Sequence, residues 1–190
     1  MNIAENNIYF VRINKTGSTS LKTWIELSKK PYKRHQYRFG KDKLWQDIKA
    51  FKSSHKFISV VRNPYCRAVS SWKFLAKEMP FVEFLNYNPN QLNDNKRNYF
   101  IYHTIPQYDF ISDQDGSIDY LNYIGKLENI NDTLSYIIGN GYSDLEVHKF
   151  PHKRKTNHKH YTEYYNDETK QIVEHKYSRD IDYFKYKFGD

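Results

Sequence analysis

Apolar, β-rich runs alternate with amphipathic helical patterns at the start of the chain. Residues 8–13 (IYFVRI) are branched, aromatic and mostly apolar, which predicts a strand of a buried sheet. A turn at residues 14–17 follows, and Leu21, Trp24 and Ile25 then recur at the spacing of one buried helix face. The pattern therefore predicts a strand, a turn and a helix, with the hydroxyls of residues 18–20 available as caps.

The same order is repeated before residue 80. An amphipathic helix is predicted by a set of large apolar residues, Leu44, Trp45, Ile48 and Phe51. Residues 56–61 (KFISVV) predict a second core strand, and Asn63-Pro64 predicts a helix start with proline at its first position. The helix face that follows consists of Ala68, Val69, Trp72, Leu75, Ala76 and Met79. Repeated strand–loop–helix units favour an α/β layered fold with a parallel sheet.

The rest of the chain gives weaker patterns. Residues 31–40 are basic and are predicted to be irregular, whereas residues 120–128 predict a third strand. A short helix is expected at residues 132–138, closed by Gly139, and the last helix at about residues 166–177. We find no repeat and no linker, so a single domain over residues 1–190 is expected.

Composition favours a basic protein that binds anions and has no intrachain disulfide, but it does not indicate a particular function. The 190-residue chain has a net charge of +8 and a pI near 9.3, which favours anionic ligands of any size. Its one cysteine, Cys66, rules out an intrachain disulfide. No secretion signal and no apolar stretch of about 20 residues is present, so we expect a cytoplasmic protein without a membrane-spanning segment.

Residues 14–20 (NKTGSTS) carry the first candidate chemistry. A loop that enters a helix N-terminus offers backbone N–H groups and the positive end of the dipole to a phosphate. Gly17 permits close backbone approach, Lys15 adds a mobile charge, and the hydroxyls add donors. The spacing is not that of a Walker A loop, which weakens the interpretation as an ATPase. A capped turn with an exposed lysine is the alternative.

A second candidate anion site follows the second strand. Arg62 stands at the end of that strand, and Ser70 lies eight residues later, two turns into the predicted helix. An arginine fork and a serine hydroxyl together suit one phosphate group. The alternative is an ordinary ion pair for Arg62 next to a capped helix.

These two stretches, YFVRINKTGSTSL and FISVVRNPYCRAVSSW, resemble the 5′-phosphosulfate loop and the 3′-phosphate motif of the carbohydrate sulfotransferases. The similarity is greatest to the heparan and chondroitin type and its short bacterial relatives. Further similar stretches follow in the family's order: residues 123–129 with their Glu-Asn pair, residues 164–177, and Asp180, Phe184, Tyr186 and Phe188.

The resemblance implies a P-loop-NTPase-like three-layer α/β fold, with a central, mainly parallel sheet flanked by helices. It also implies a donor, 3′-phosphoadenosine 5′-phosphosulfate (PAPS), a product, adenosine 3′,5′-bisphosphate (PAP), and no metal. The donor-binding residues it implies are Lys15, Thr16, Gly17, Ser18, Thr19, Ser20, Arg62 and Ser70. The expected acceptor is a carbohydrate or glycolipid, which leaves the hydroxyl that is sulfated and the oligomeric state open.

Catalytic residues are less well defined by the resemblance. Lys15 is expected to neutralise the leaving oxygen during in-line displacement. His35 is the first candidate for the base that removes the acceptor proton, His103 in HTIPQ the second, and Glu26 the third.

The remaining basic segment and the competing functions stay open. Residues 149–159 hold five Lys or Arg residues that suit either a solvated charge run or a lid over the donor. Four nearby histidines lack the spacing of a structural zinc site. The alternatives are a P-loop-like kinase or NTPase, a basic nucleic-acid-binding domain, which we do not expect, and an inactive relative that only binds nucleotide.

Overall fold

The computed structural model of the protein describes residues 7–36, 40–151 and 159–190. Contacts among these residues divide the chain into two compact units. One unit is formed by the described parts of residues 1–61 and 110–155, the other by those of residues 62–109 and 156–190. The single-domain organisation over residues 1–190 stays a prediction.

A parallel sheet organises the first unit. Its strands are β1 (Asn7–Arg12), β2 (Lys33–Gln36), β3 (His55–Val61) and β4 (Tyr123–Lys126), in the order β2-β1-β3-β4. All three strand pairs are parallel. The buried runs of β1 and β3 are those expected of parallel strands that are covered on both faces.

The helices of the described residues follow in chain order. They are α1 (Ser18–Ile25), α2 (Gly40–Phe51), α3 (Pro64–Leu75), α4 (Phe81–Asn86), α5 (Asp94–Thr104), α6 (Gln107–Ile111), α7 (Ile130–Gly139), α8 (Asp167–Lys176) and α9 (Ser178–Phe184). Among them, none combines the length and apolar character that crossing a bilayer requires.

Alternate side chains of β1 and β3 cover opposite faces of the sheet. Ile8 and Phe10 share one buried cluster with residues of α1 and α7. On the other face, the Tyr9 ring stacks on Phe57 and on Phe51 of α2, with ring centroids 4.4 and 6.1 Å apart. The first unit therefore has three layers, and the predicted α/β, P-loop-like class with a parallel sheet flanked by helices is confirmed.

The second unit is helical in its described residues. α3, α4, α5 and α8 surround an aromatic and aliphatic core. Asn63 caps α3 as predicted, since its Oδ1 accepts a hydrogen bond from the Tyr65 amide at 3.0 Å, and Pro64 is the first helical residue. The helix ends at Leu75 rather than continuing to Met79, because Ala76 leaves the helical region at φ −156°.

Some elements differ from the sequence prediction. The segment predicted to be irregular contains β2, whose backbone pairs with β1 from Tyr9↔Lys33 to Arg12↔Gln36. α7 includes Gly139 and is capped by Asn140, so Gly139 does not close the helix. The strand at residues 120–128 is shorter, Tyr123–Lys126, and the last predicted helix is followed by α9.

We predict that Gly125→Ala will destabilise the protein through β4. An added Cβ would lie 1.9 Å from the Oγ1 of buried Thr133, and such overpacking costs about 1–3 kcal/mol. Gly139→Ala is the matched control, since a Cβ there meets nothing within 4 Å, and we expect between no change and about 1 kcal/mol of stabilisation. Denaturant unfolding measures both.

A double variant tests the stated cause. Thr133→Ala removes the Oγ1 atom that the new methyl group would strike, so adding Gly125→Ala to Thr133→Ala should cost much less than adding it to the wild type. Equal free energies of unfolding for Gly125→Ala and Gly139→Ala would contradict the close packing of β4 against α7.

Candidate functional site

The loop after β1 has a backbone conformation that only particular residues tolerate. Lys15 and Gly17 both have φ 69°, in the left-handed region. Between them, the buried Thr16 donates its hydroxyl to the Ile13 carbonyl at 3.0 Å. A Cβ on Gly17 would lie 2.5 Å from Cδ1 of Leu127, so both the torsion angle and the space require glycine here.

The loop leads into α1, whose first turn carries no acidic residue. Gly17 is the N-cap residue, and no side chain of the described residues caps the helix there. The expectation that Ser18, Thr19 or Ser20 caps the helix is wrong, because these residues form the first turn itself. Backbone N–H groups and three hydroxyls thus share one helix end, which suits an anion.

The sheet places the loop at a topological switch point. β1 lies between β2 and β3, and the chain goes from β1 to β2 on one side before it crosses to β3 on the other. The register sets Val11 opposite Ser59, so β1 and β3 end at nearly the same level. The crevice outside the carboxyl ends of such strands is where open α/β sheets bind ligands.

His35 lies at the same edge of the sheet, one strand away from the loop. It pairs with Val11 in the register of β1 and β2, and its side chain is only 2% exposed. Its Nδ1 lies 4.0 Å from Oδ2 of Asp47. The Tyr9 hydroxyl donates to that oxygen, and the Lys43 ammonium donates to the other oxygen, Oδ1. Burial lowers the pKa of His35 to about 4 and outweighs the Asp47 carboxylate, so the imidazole is neutral at pH 7.

Glu26, the third candidate base, is a solvent-exposed carboxylate at the end of α1. Its Oε2 lies 2.8 Å from the Lys22 ammonium and its Oε1 3.9 Å from the Arg34 guanidinium. The hydrogen bond from Lys22 is the main cause that lowers the pKa of Glu26, which makes it a weaker base.

In the second unit, Arg62 is held at both its main chain and its side chain. Its amide donates to Oε1 of Gln107 at 2.9 Å, and Nε2 of Gln107 donates to the Arg62 carbonyl at 2.8 Å. The guanidinium Nη2 lies 2.7 Å from Sγ of Cys66 in the first turn of α3. The charged group of Arg62 therefore lies over the outer face of this helix.

Ser70 follows Cys66 on that same face. Cys66 and Ser70 are spaced four residues apart and are both partly exposed, whereas the neighbouring Ser71 is buried and donates to the His103 carbonyl at 2.8 Å. One helical turn spans about 5.4 Å, so Ser70 lies one turn further along α3 than Cys66, the residue that the Arg62 guanidinium contacts. This geometry suits two donors to one anionic group.

His103, the second candidate base, is on α5 and is 7% exposed. Its Nδ1 lies 2.8 Å from the Tyr99 carbonyl, which can only accept, so Nδ1 carries the proton and Nε2 is the basic nitrogen. The imidazole contacts the rings of Tyr99 and Phe74 at centroid distances of 4.7 and 5.2 Å.

The buried carboxylate of Asp180 contacts Gln107, which holds the main chain of Arg62. The sequence alone gave Asp180 no role. Asp180 is 0% exposed and accepts from the amides of Gln107 and Tyr108, each at 2.7 Å. Burial raises the pKa of Asp180, while these N–H donors and the Arg67 guanidinium act in the opposite direction. Two sequence features could have indicated the contact between Gln107 and Asp180: the Pro106-Gln107 stretch and the family resemblance around Asp180.

Comparison with known protein families shows the family to which the chain belongs. The model described as "Sulfotransferase family" matches residues 3–187 of the 190-residue chain. This chain belongs to the sulfotransferase family. No curated protein and no solved structure gave a match. Membership supports sulfuryl transfer in general.

The structure distributes the predicted site residues of this sulfotransferase over both units. The first unit holds Lys15 to Ser20 and His35 at the carboxyl ends of β1 and β2. The second unit holds Arg62 just before α3, Ser70 on α3 and His103 on α5. Each unit therefore contains the residues expected at one end of the donor. Those expected at the 5′ end are in the first unit, and those expected at the 3′-phosphate are in the second.

The basic segment of the sulfotransferase is described only at its ends. Lys149 pairs with Glu146 at 2.5 Å and Lys159 with Glu163 at 3.5 Å. The other predicted residues, His152, Lys153, Arg154, Lys155 and His158, lie outside the described residues. In the described part of the chain, no group of three or more His, Cys, Asp or Glu side chains is placed to hold a metal ion.

We predict that acid destabilises the protein through His35. The folded state binds this proton only near pH 4, whereas the unfolded chain binds it near pH 6.5, so protons favour unfolding as the pH falls through this window. The loss is at most about 1.4 kcal/mol per pH unit, and roughly 3 kcal/mol in all. Denaturant unfolding of the wild type and of His35→Gln at several pH values measures it.

His148→Gln is the control for this measurement, since the His148 side chain is 73% exposed. It should retain the wild-type slope of stability against pH, while His35→Gln should flatten that slope below pH 6.5. Identical slopes for His35→Gln and the wild type would show that the imidazole is not buried in its neutral form.

Proposed function

We propose that this sulfotransferase transfers the sulfuryl group of PAPS to a hydroxyl of a carbohydrate acceptor. The acceptor oxygen attacks sulfur in line, and the bond from sulfur to the bridging phosphate oxygen breaks. PAP leaves with the electron pair of that bond, and a protein base takes the acceptor proton. The observation that carries the proposal is the anion-accepting loop at the switch point of a chain in this family.

The 5′-phosphosulfate is assigned to residues 15–20. The glycine cap and the absence of an acidic residue in the first turn of α1 support this assignment, because a carboxylate there would repel the anion. Lys15 is assigned to the bridging oxygen, where negative charge develops as the bond to sulfur breaks. A positioned cation stabilises such a transition state more than the ground state.

The 3′-phosphate is assigned to Arg62 and Ser70. The hydrogen bond from Arg62 to Cys66 supports it, since Cys66 lies one helical turn before Ser70 on α3. The phosphosulfate loop begins after β1, and Arg62 is the residue that follows β3.

His35 is proposed as the base, with His103 as the second candidate. The position of His35 beside the carboxyl end of β1 supports this choice. Its imidazole is neutral at pH 7 and can accept a proton, but its lowered pKa makes it a weaker base than an ordinary histidine, so His103 is tested beside it. The proposed reaction uses no metal.

Exposed aromatic rings beside His103 support a carbohydrate acceptor together with the second candidate base. Phe74 and Tyr99 are 46% and 49% exposed, and their ring centroids lie 6.3 Å apart. Rings that present an apolar face to water offer a surface for the C–H face of a sugar.

We predict that Lys15→Ala will abolish most sulfate transfer from labelled PAPS to a glycan panel. Loss of one transition-state charge partner typically costs about 10²–10³ in kcat. Lys29→Ala, which removes another lysine from the surface of the same unit, should retain wild-type activity.

The same assay separates the competing functions. Unchanged transfer by Lys15→Ala would refute the assignment of the loop, and magnesium-dependent ATP turnover without PAPS use would favour a kinase or NTPase. Binding to DNA or RNA with a steep salt dependence would favour a nucleic-acid-binding protein.

We further predict that His35→Gln lowers kcat by about 10²–10⁴ while the Kd for PAP stays within about twofold. A base acts on the acceptor proton and not on the nucleotide, which is why binding should be retained. His148→Gln is the exposed control. If His103→Gln shows this loss and His35→Gln does not, the base is His103.

A further inference from the structure

The main chain of Arg62 is held by a side-chain amide at the point where the sheet ends. β3 ends at Val61, and Gln107 then provides both an acceptor and a donor to the next residue. The two hydrogen bonds, at 2.9 and 2.8 Å, leave the Arg62 backbone little freedom to rotate. Gln107 is 0% exposed, so water does not compete for these bonds.

Gln107 is itself fixed by Asp180. One carboxylate oxygen, Oδ2, accepts hydrogen bonds from the backbone N–H of Gln107 at 2.7 Å and from its side-chain Nε2 at 3.3 Å. The other oxygen accepts from the Tyr108 amide at 2.7 Å. The Asp180 carboxylate therefore holds both the backbone and the side chain of Gln107, and a buried chain of contacts runs from Asp180 through Gln107 to Arg62.

We infer that Gln107, held by Asp180, is a positioning residue for Arg62 and thereby sets the preference of the enzyme for a nucleotide that carries a 3′-phosphate. The inference rests on the proposed function, in which Arg62 binds that phosphate. A guanidinium that is already oriented loses less entropy on binding than one on a mobile backbone. The resulting gain in affinity is confined to ligands that carry the 3′-phosphate it contacts.

A merely structural role for Gln107 gives a different expectation. Loss of buried hydrogen bonds would then lower the stability of the second unit, and the affinity for every nucleotide would fall alike. A positioning role lowers the affinity only for ligands with a 3′-phosphate. The decisive quantity is the ratio of the Kd for adenosine 5′-phosphate to the Kd for PAP.

Titration calorimetry of the full chain with PAP and with adenosine 5′-phosphate measures this ratio. The wild type should prefer PAP, and Arg62→Ala should lose the preference. Gln107→Met, which removes both hydrogen bonds to Arg62 at similar volume, should lower the preference about tenfold with the Kd for adenosine 5′-phosphate within about twofold. Tyr177→Phe, which removes another buried hydrogen bond of the same unit, should keep the wild-type ratio.

The outcomes separate the inference from the proposed function. A wild type without preference for PAP, or an Arg62→Ala variant that keeps it, overturns the assignment of the 3′-phosphate site. If Arg62→Ala loses the preference and Gln107→Met keeps it, or if Gln107→Met weakens both ligands equally, the positioning role is wrong while the function stands. Should thermal melts show that Gln107→Met does not fold, Asp180→Asn replaces it, and an unchanged ratio in that variant overturns the inference.

Discussion

Parallel pairing of β1 with β3 is the constraint on which the candidate site depends. Because the two strands are neighbours and run in the same direction, their carboxyl ends lie at one edge of the sheet. The loop with Gly17 starts at one of these ends, and the segment with Arg62 starts at the other. A one-residue change of register would turn every side chain of the slipped strand to the other face and break the buried cluster that holds Ile8 and Phe10.

Much of this arrangement could be predicted because it depends on local patterns. β1 and β3 are nearly continuous apolar runs, α1 has apolar residues at the helical period, and Asn63-Pro64 is a local start signal for α3. β2 could not be found in this way: Lys33, Arg34 and Gln36 are polar, and the strand is formed by its pairing with β1. Here tertiary pairing overrides a sequence that reads as a loop.

The candidate site also has a part that local sequence predicts and a part that depends on tertiary contacts. Residues 15–20 could be predicted as a candidate anion site because glycine, lysine and hydroxyls stand together within one turn. The role of Gln107 was not recognisable, since it depends on partners 45 residues before it and 73 residues after it in the chain. Side-chain hydrogen bonds over such separations leave no periodic signal, and only the folded chain brings them together.

The buried Asp180 carboxylate has a cost that its position helps to explain. Taking a carboxylate out of water is unfavourable, which its raised pKa reflects, and the amides of Gln107 and Tyr108 offset only part of this penalty. A well-packed apolar residue would serve a purely structural core at least as well. What an apolar residue cannot do is accept hydrogen bonds from the backbone and the side chain of Gln107 at once. The carboxylate therefore specifies one orientation of Gln107, and through it one path for the main chain at Arg62.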